Sequence, residues 1–202
     1  MDKKVCYIDF ISYAVEFINE YGIDITYDEV IKRYSESHRH FHTVEHLNDV
    51  LKQIMKQRTQ FQTGDLVSLI IAAVFHDIVY DPQRKDNEEK SVEVLISYER
   101  FPIIDFRLEN AKKIILATKT HDKIHELIYN FNKIDCSILD RSYEDLLIWE
   151  EQISKEYEFA GWKEYKDRRI KFLELSIPDH MNNEDNLRRL IDYVKNNYFS
   201  TI

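Results

Sequence analysis

The chain has 202 residues, 44% hydrophobic and 13% aromatic, which is enough for one well-buried core and short for two. A net charge of -9 argues against a general binder of nucleic-acid polymers, since such proteins gather Lys and Arg into a basic footprint. Three glycines and three prolines are too few to punctuate a sheet protein of this size, so a single all-α domain over residues 1–202 is predicted.

In chain order, apolar periodicity predicts helices at 5–20, 26–37, 43–59, 65–80, 87–100, 106–120, 122–131, 143–175 and 184–198. Ile8, Ile11, Val15 and Ile18 make the stripe of the first; Leu47, Val50, Leu51 and Ile54 make that of the third. TYDE at Thr26 to Glu29 and DNEE at Asp86 to Glu89 have the form of capping boxes. Pro82 and Pro102 mark loops. SYEDLLIWEEQISKEYE predicts an amphipathic helix with a solvated acidic face from Glu144 to Glu158.

The apolar run Leu69 to Phe75 is far below the roughly 20 residues that span a bilayer. The N-terminal MDKKVCYIDFISYAVEF carries acids within its apolar stretch and lacks a small-residue cleavage site. Cys6 and Cys136 form neither a CxxC motif nor a disulfide framework. A cytoplasmic protein without a membrane partner is the expectation, as monomer or homodimer.

The chemistry concentrates at the end of LVSLIIAAVFHDIVY. His76 and Asp77 close an apolar helix there, and a charge-bearing pair in such a place is costly unless compensated. A divalent metal compensates it, and imidazole with carboxylate suits Mn, Fe, Co, Ni or Zn, with Mg also possible. Neighbours on a helix diverge by about 100°, so the ion would sit beside the helix between them.

Upstream, His42 and His46 in FHTVEH are four apart and can share a helix face, with His46 in register with the apolar stripe. Downstream, Asp135 in NFNKIDCSIL is flanked by the apolar anchors Ile134, Ile138 and Leu139. Taken singly, each has a plainer reading, as a core histidine or a helix-capping aspartate. Together they supply His46, His76, Asp77 and Asp135 as a metal-ligand set.

These residues resemble the HD-domain superfamily of metal-dependent phosphohydrolases, named for its histidine-aspartate doublet. YSESHRHFHTVEH, AAVFHDIVYDPQRKDNEEKSVEVL, ILATKTH and KIDCSILD, and later DRRIKFLELSIPDH and EDNLRRLI, are similar in order and spacing to an uncharacterised bacterial branch of that superfamily. The resemblance runs from about Tyr34 onward. It implies one HD-type helical bundle with a metal site between helices, and metal binding by His46, His76, Asp77 and Asp135.

FHTVEHLNDV also resembles the YHNxxHxxDV stretch of cyclic-nucleotide phosphodiesterases, whose first histidine protonates the leaving oxygen. That role would fall on His42, whose alternative is a neighbour of a helix cap. A bound metal would acidify water and polarise a phosphoryl oxygen, with Asp77 orienting that water. The expected substrate is a nucleotide or other small phosphorylated metabolite.

Further residues come from the surroundings of these motifs. His121 is two turns beyond Ile114 and is expected to face the same interior; the resemblance implies a ligand of a second metal there, with a supporting contact behind the ligands or a substrate contact as the alternatives. Asp81 stands where alarmone hydrolases of the superfamily have the final acid of HDxxED, but Tyr80 replaces the glutamate of that pattern. Glu88 opens a helix, where acids favour the dipole, and is also expected near the cavity. Arg39 and Lys119 are expected at the phosphate or on the solvated surface. Lys133 stands where relatives commonly carry an acid. Two other classes compete with the hydrolase: a di-iron oxygenase of HD type, which needs further histidines such as His121 or His125, and a non-catalytic metal- or nucleotide-binding module.

Overall fold

The computed structural model describes residues 9–100, 105–120 and 125–197, and among them the chain is all-helical. The α-helices are α1 Phe10–Glu20, α2 Tyr27–Tyr34, α3 Val44–Gln57, α4 Thr63–Phe75, α5 Asn87–Ser97, α6 Phe106–Ala117, α7 Glu126–Asp135, α8 Tyr143–Glu156, α9 Trp162–Ser176 and α10 Glu184–Asn197. None is long and apolar enough to cross a membrane. The chain divides into two compact units, Met1–Ile134 and Asp135–Ile202.

The first unit is organised on α4. Every residue from Val67 to Phe75 is buried. A helix apolar on all sides must be surrounded rather than laid on a surface. α1, α3, α5 and α6 pack against it. Their buried faces, Ile11, Ala14, Val15 and Ile18 on α1 and Leu47, Val50, Leu51 and Ile54 on α3, follow the predicted stripes, of which Ile8 lies outside the described residues.

Local signals set the helix ends. Asp9 caps α1, accepting from the Ile11 and Ser12 amides, and Thr26 caps α2 by accepting from Glu29 N–H at 3.3 Å. The DNEE string behaves otherwise. Asp86 is the N-cap of α5 but makes no side-chain cap bond, because its carboxylate is held by Arg84 at 2.9 and 2.8 Å. α1 stops in a Schellman turn: Ile23 N–H reaches back to the Ile18 carbonyl at 3.2 Å, Gly22 N–H reaches Asn19 at 3.1 Å, and Gly22 takes φ 86°. The chain then forms an antiparallel bridge, Ile23 with Glu99, at the end of α5.

In the second unit the predicted helix over 143–175 is two helices. Tyr157 leaves the helical conformation (φ -102°, ψ 17°), and Gly161 N-caps α9. The apolar pattern does not register the break because both helices bury one stripe, Leu146, Trp149 and Ile153 on α8 and Tyr165 and Leu173 on α9. Nor is the acidic face of α8 wholly solvated. Glu150 is fully buried, accepting from Tyr165 Oη at 2.7 Å and Arg169 Nε at 2.6 Å, with the guanidinium 3.8 Å from the Trp149 ring centroid. The free thiol of Cys136 is pushed well up by burial, with the Asp135 carboxylate adding to the effect.

Two measurements check these assignments. A Cβ at Gly22 meets nothing within 4 Å, so Gly22→Ala should cost about 1–2 kcal/mol of conformational strain alone, read as a lower urea midpoint. Arg169→Met leaves the buried Glu150 charge without its guanidinium and should destabilise by about 3–5 kcal/mol in the same titration.

Candidate metal centre

The end of α4 is shaped by competition for its backbone. The expected helix to residue 80 stops at Phe75, with His76 as C-cap, its N–H still bonded to the Ala72 carbonyl at 2.8 Å. Beyond it, groups that a continuing helix would use are taken by side chains. Tyr34 Oη donates to the Val74 carbonyl at 3.2 Å, and Arg39 Nη1 donates to the Asp77 carbonyl at 2.9 Å. Ser91 Oγ accepts from Val79 N–H at 3.2 Å, and Asn87 holds Asp81 through both its N–H (3.1 Å) and its carbonyl (2.8 Å). The histidine-aspartate doublet therefore sits at the helix end rather than within the helix, and Asp77 belongs to the turn.

His46 reaches the same place from the first turn of α3. Its Nε2 is 3.9 Å from Asp77 Oδ2, and His76 Nε2 is 3.3 Å from the same oxygen. The two imidazole side chains are 5% and 1% exposed against 17% for Asp77, so the carboxylate is the accessible member. Phe41 covers the His46 ring at 4.7 Å between centroids, and the Phe131 edge meets His76 at 5.5 Å.

Three donor atoms, one from each residue, lie within 4.8 Å of one another. Atoms bound to one transition-metal ion at 2.0–2.1 Å stand about 3–4 Å apart, so the observed spacings need only small side-chain rotations to close on an ion. The tautomer fits as well. His76 Nδ1 lies 2.9 Å from the Ala73 carbonyl, which can only accept, so Nδ1 carries a proton and Nε2, the nitrogen on the Asp77 side, is the one a metal would take. The group could hold a metal ion.

His42 stands just before α3, not on it, yet the four-residue spacing still brings its ring to 5.7 Å from that of His46. Tyr80 also stacks on the His42 ring at 4.1 Å with an interplanar angle of 28°, and Phe41 meets it edge-on at 5.1 Å. Asp135 ends α7 and opens the second unit, half-buried beside the buried Ile134. His121 lies outside the described residues. His125 Nδ1 accepts from Leu127 N–H at 3.3 Å at the start of α7.

The expected phosphate contacts are placed less openly. Arg39, with a side chain 0% exposed, faces inward. Lys119 is exposed, but its ammonium bonds Glu89 Oε1 and the Lys85 carbonyl, each at 2.6 Å; the Glu89 bond raises its pKa and lowers that of Glu89. Glu88, 3.8 Å from Lys119, is pushed up chiefly by burial. Asp81 Oδ1 accepts from Gln83 N–H at 2.9 Å and so shapes the turn. Sequence reasoning missed Tyr34 and Ser91, whose bonds go to backbone atoms 40 and 12 residues away and leave no spacing signal, and Asn87, which closes the local turn onto Asp81.

Comparisons with protein-family models, curated proteins and solved structures return no match. The centre itself makes a checkable statement. Protein stripped of metal and titrated with Co²⁺ should develop visible absorption at the stoichiometry of one site. His76→Ala and Asp77→Ala should each weaken binding by more than the roughly 10–100-fold that loss of an outer-shell partner costs.

Proposed function

We propose that the chain is a metal-dependent hydrolase of phosphate esters, acting on a nucleotide or another small phosphorylated metabolite. The observation that carries this reading is the meeting of His46, His76 and Asp77 beside a third imidazole, His42. The resemblance to HD-domain phosphohydrolases supports the same assignment and adds Asp135 as a further ligand.

The bound ion would supply Lewis acidity, lowering the pKa of water and drawing charge from a phosphoryl oxygen. His46 and His76 would contribute nitrogen donors on buried, packed rings. Asp77 contributes the charge that balances the ion and, as the most exposed of the three, faces incoming water and substrate. His42, held against Tyr80, is the proton donor to the leaving oxygen.

Metal-stripped protein resupplied in turn with Mn²⁺, Co²⁺, Ni²⁺, Mg²⁺ and Zn²⁺ should recover hydrolysis of a chromogenic phosphomonoester or phosphodiester with at least one ion. Asp77→Ala should abolish that turnover. His42→Ala should lower kcat by about 10²–10⁴-fold, the usual contribution of a positioned general acid, while leaving metal affinity within a few-fold. Asp135→Ala, measured in the same metal titration, checks the ligand that the resemblance adds. Tight metal binding without turnover on either ester would overturn the generic hydrolase reading.

A further inference from the structure

Arg39 is a buried cation whose bonds converge on the two halves of the candidate centre. Its Nη1 donates to the carbonyl of His42 at 3.1 Å and to the carbonyl of Asp77 at 2.9 Å. Glu36 holds the other side of the fork: its Oε2 accepts from Nε at 3.0 Å and lies 2.9 Å from Nη2 as an ion-pair contact, Nη2 itself making no hydrogen bond among the described residues. Its Cζ lies 5.1 Å from the Tyr34 ring centroid and 5.4 Å from that of Tyr80. Tyr80 in turn stacks on His42, and its carbonyl accepts from His38 Nε2 at 2.6 Å. One guanidinium thus connects the segment carrying the proton donor, the turn carrying the carboxylate ligand and the aromatic plate on which the donor rests.

From this geometry we infer that Arg39 is a positioning residue of the metal centre: it fixes the distance and orientation between His42 and Asp77 by bridging their carbonyls. The inference rests on the functional reading above. The bridge requires the guanidinium. Its planar fork gives Glu36 two nitrogens and still presents Nη1 to both carbonyls, whereas a lysine ammonium is a point donor on a flexible stem. Both carbonyls belong to irregular backbone with no helical ladder to hold it. Replacing Arg39 therefore frees both segments at once, which separates it from a residue that stabilises only one helix. Tyr80 extends the same function, because its ring is shared between Arg39 and His42.

The test compares wild type, Arg39→Lys, Arg39→Met and Ile54→Val. Ile54→Val trims the core of α3 without touching the bridge and controls for lost stability. Circular dichroism and melting temperature establish the folded fraction, calorimetry gives the Mn²⁺ dissociation constant, and steady-state hydrolysis gives kcat and KM. Arg39→Lys, which keeps the charge and most of the stem, should bind Mn²⁺ about 10-fold more weakly and lose at least about 10-fold in kcat at saturating metal, with KM changed less than twofold. Arg39→Met should lose more of both, and Ile54→Val should match wild type in both despite a lower melting temperature.

If wild type hydrolyses the ester and folded Arg39→Lys binds metal and turns over as wild type does, the positioning role is overturned and the hydrolase reading stands. If Ile54→Val loses affinity and kcat as Arg39→Lys does, the effect is one of general stability and the positioning role is again overturned. If wild type itself neither binds metal nor turns over, the hydrolase reading fails and this inference falls with it.

Discussion

The first unit depends on the burial of α4. From Val67 to Phe75 the helix has no solvated face and no room for a charged residue; its one acid, Asp65, stands in the first turn, and the remaining polar chemistry is deferred to the point where the helix ends. At that point the chain places an imidazole and a carboxylate in succession, under the side chains of α2, α3 and α5. The packing that makes α4 stable also determines where the centre is, because the rings on its rim are pressed from behind by Phe41 and Phe131. Stability and the placing of the candidate donors are linked through the same few residues.

Much of this was legible in the sequence, for identifiable reasons. Scarce glycine and proline together with 3.6-residue periodicity gave the all-helical class, since both follow from local geometry. His46 was legible because it continues the stripe of Leu47, Val50 and Ile54. The doublet was legible because two polar residues interrupt an otherwise apolar run. What periodicity could not show is termination. α4 ends at Phe75 because tertiary partners claim its next backbone groups, and α8 ends at Glu156 although the apolar pattern continues into α9. The same limit hid the inward turn of Arg39, which in sequence is a cation among histidines like any surface residue.

Charged residues in this chain illustrate how environment, rather than residue type, assigns a task. Glu150 and Arg169 are buried and hold two helices together, while Lys119 and Glu89 form a pair on the surface, where screening leaves little net stabilisation. Arg39 and Glu36 lie between these cases. Their pair is anchored on one side by a fully buried guanidinium, and its effect is directional, since it aims the remaining donors at two carbonyls.

The donor group also has a bearing on the order of folding. His46 is carried by α3, and His76 and Asp77 by the turn that directly follows α4, the next α-helix in the chain, so a single loop closure brings them together. The entropy of closing a loop grows only with the logarithm of its length, and contacts between adjacent helices form among the earliest in a helical chain. Packing α4 against α3 therefore brings the three candidate donors together in the same event, and an ion able to bind them would meet its donors when the helix pair closes.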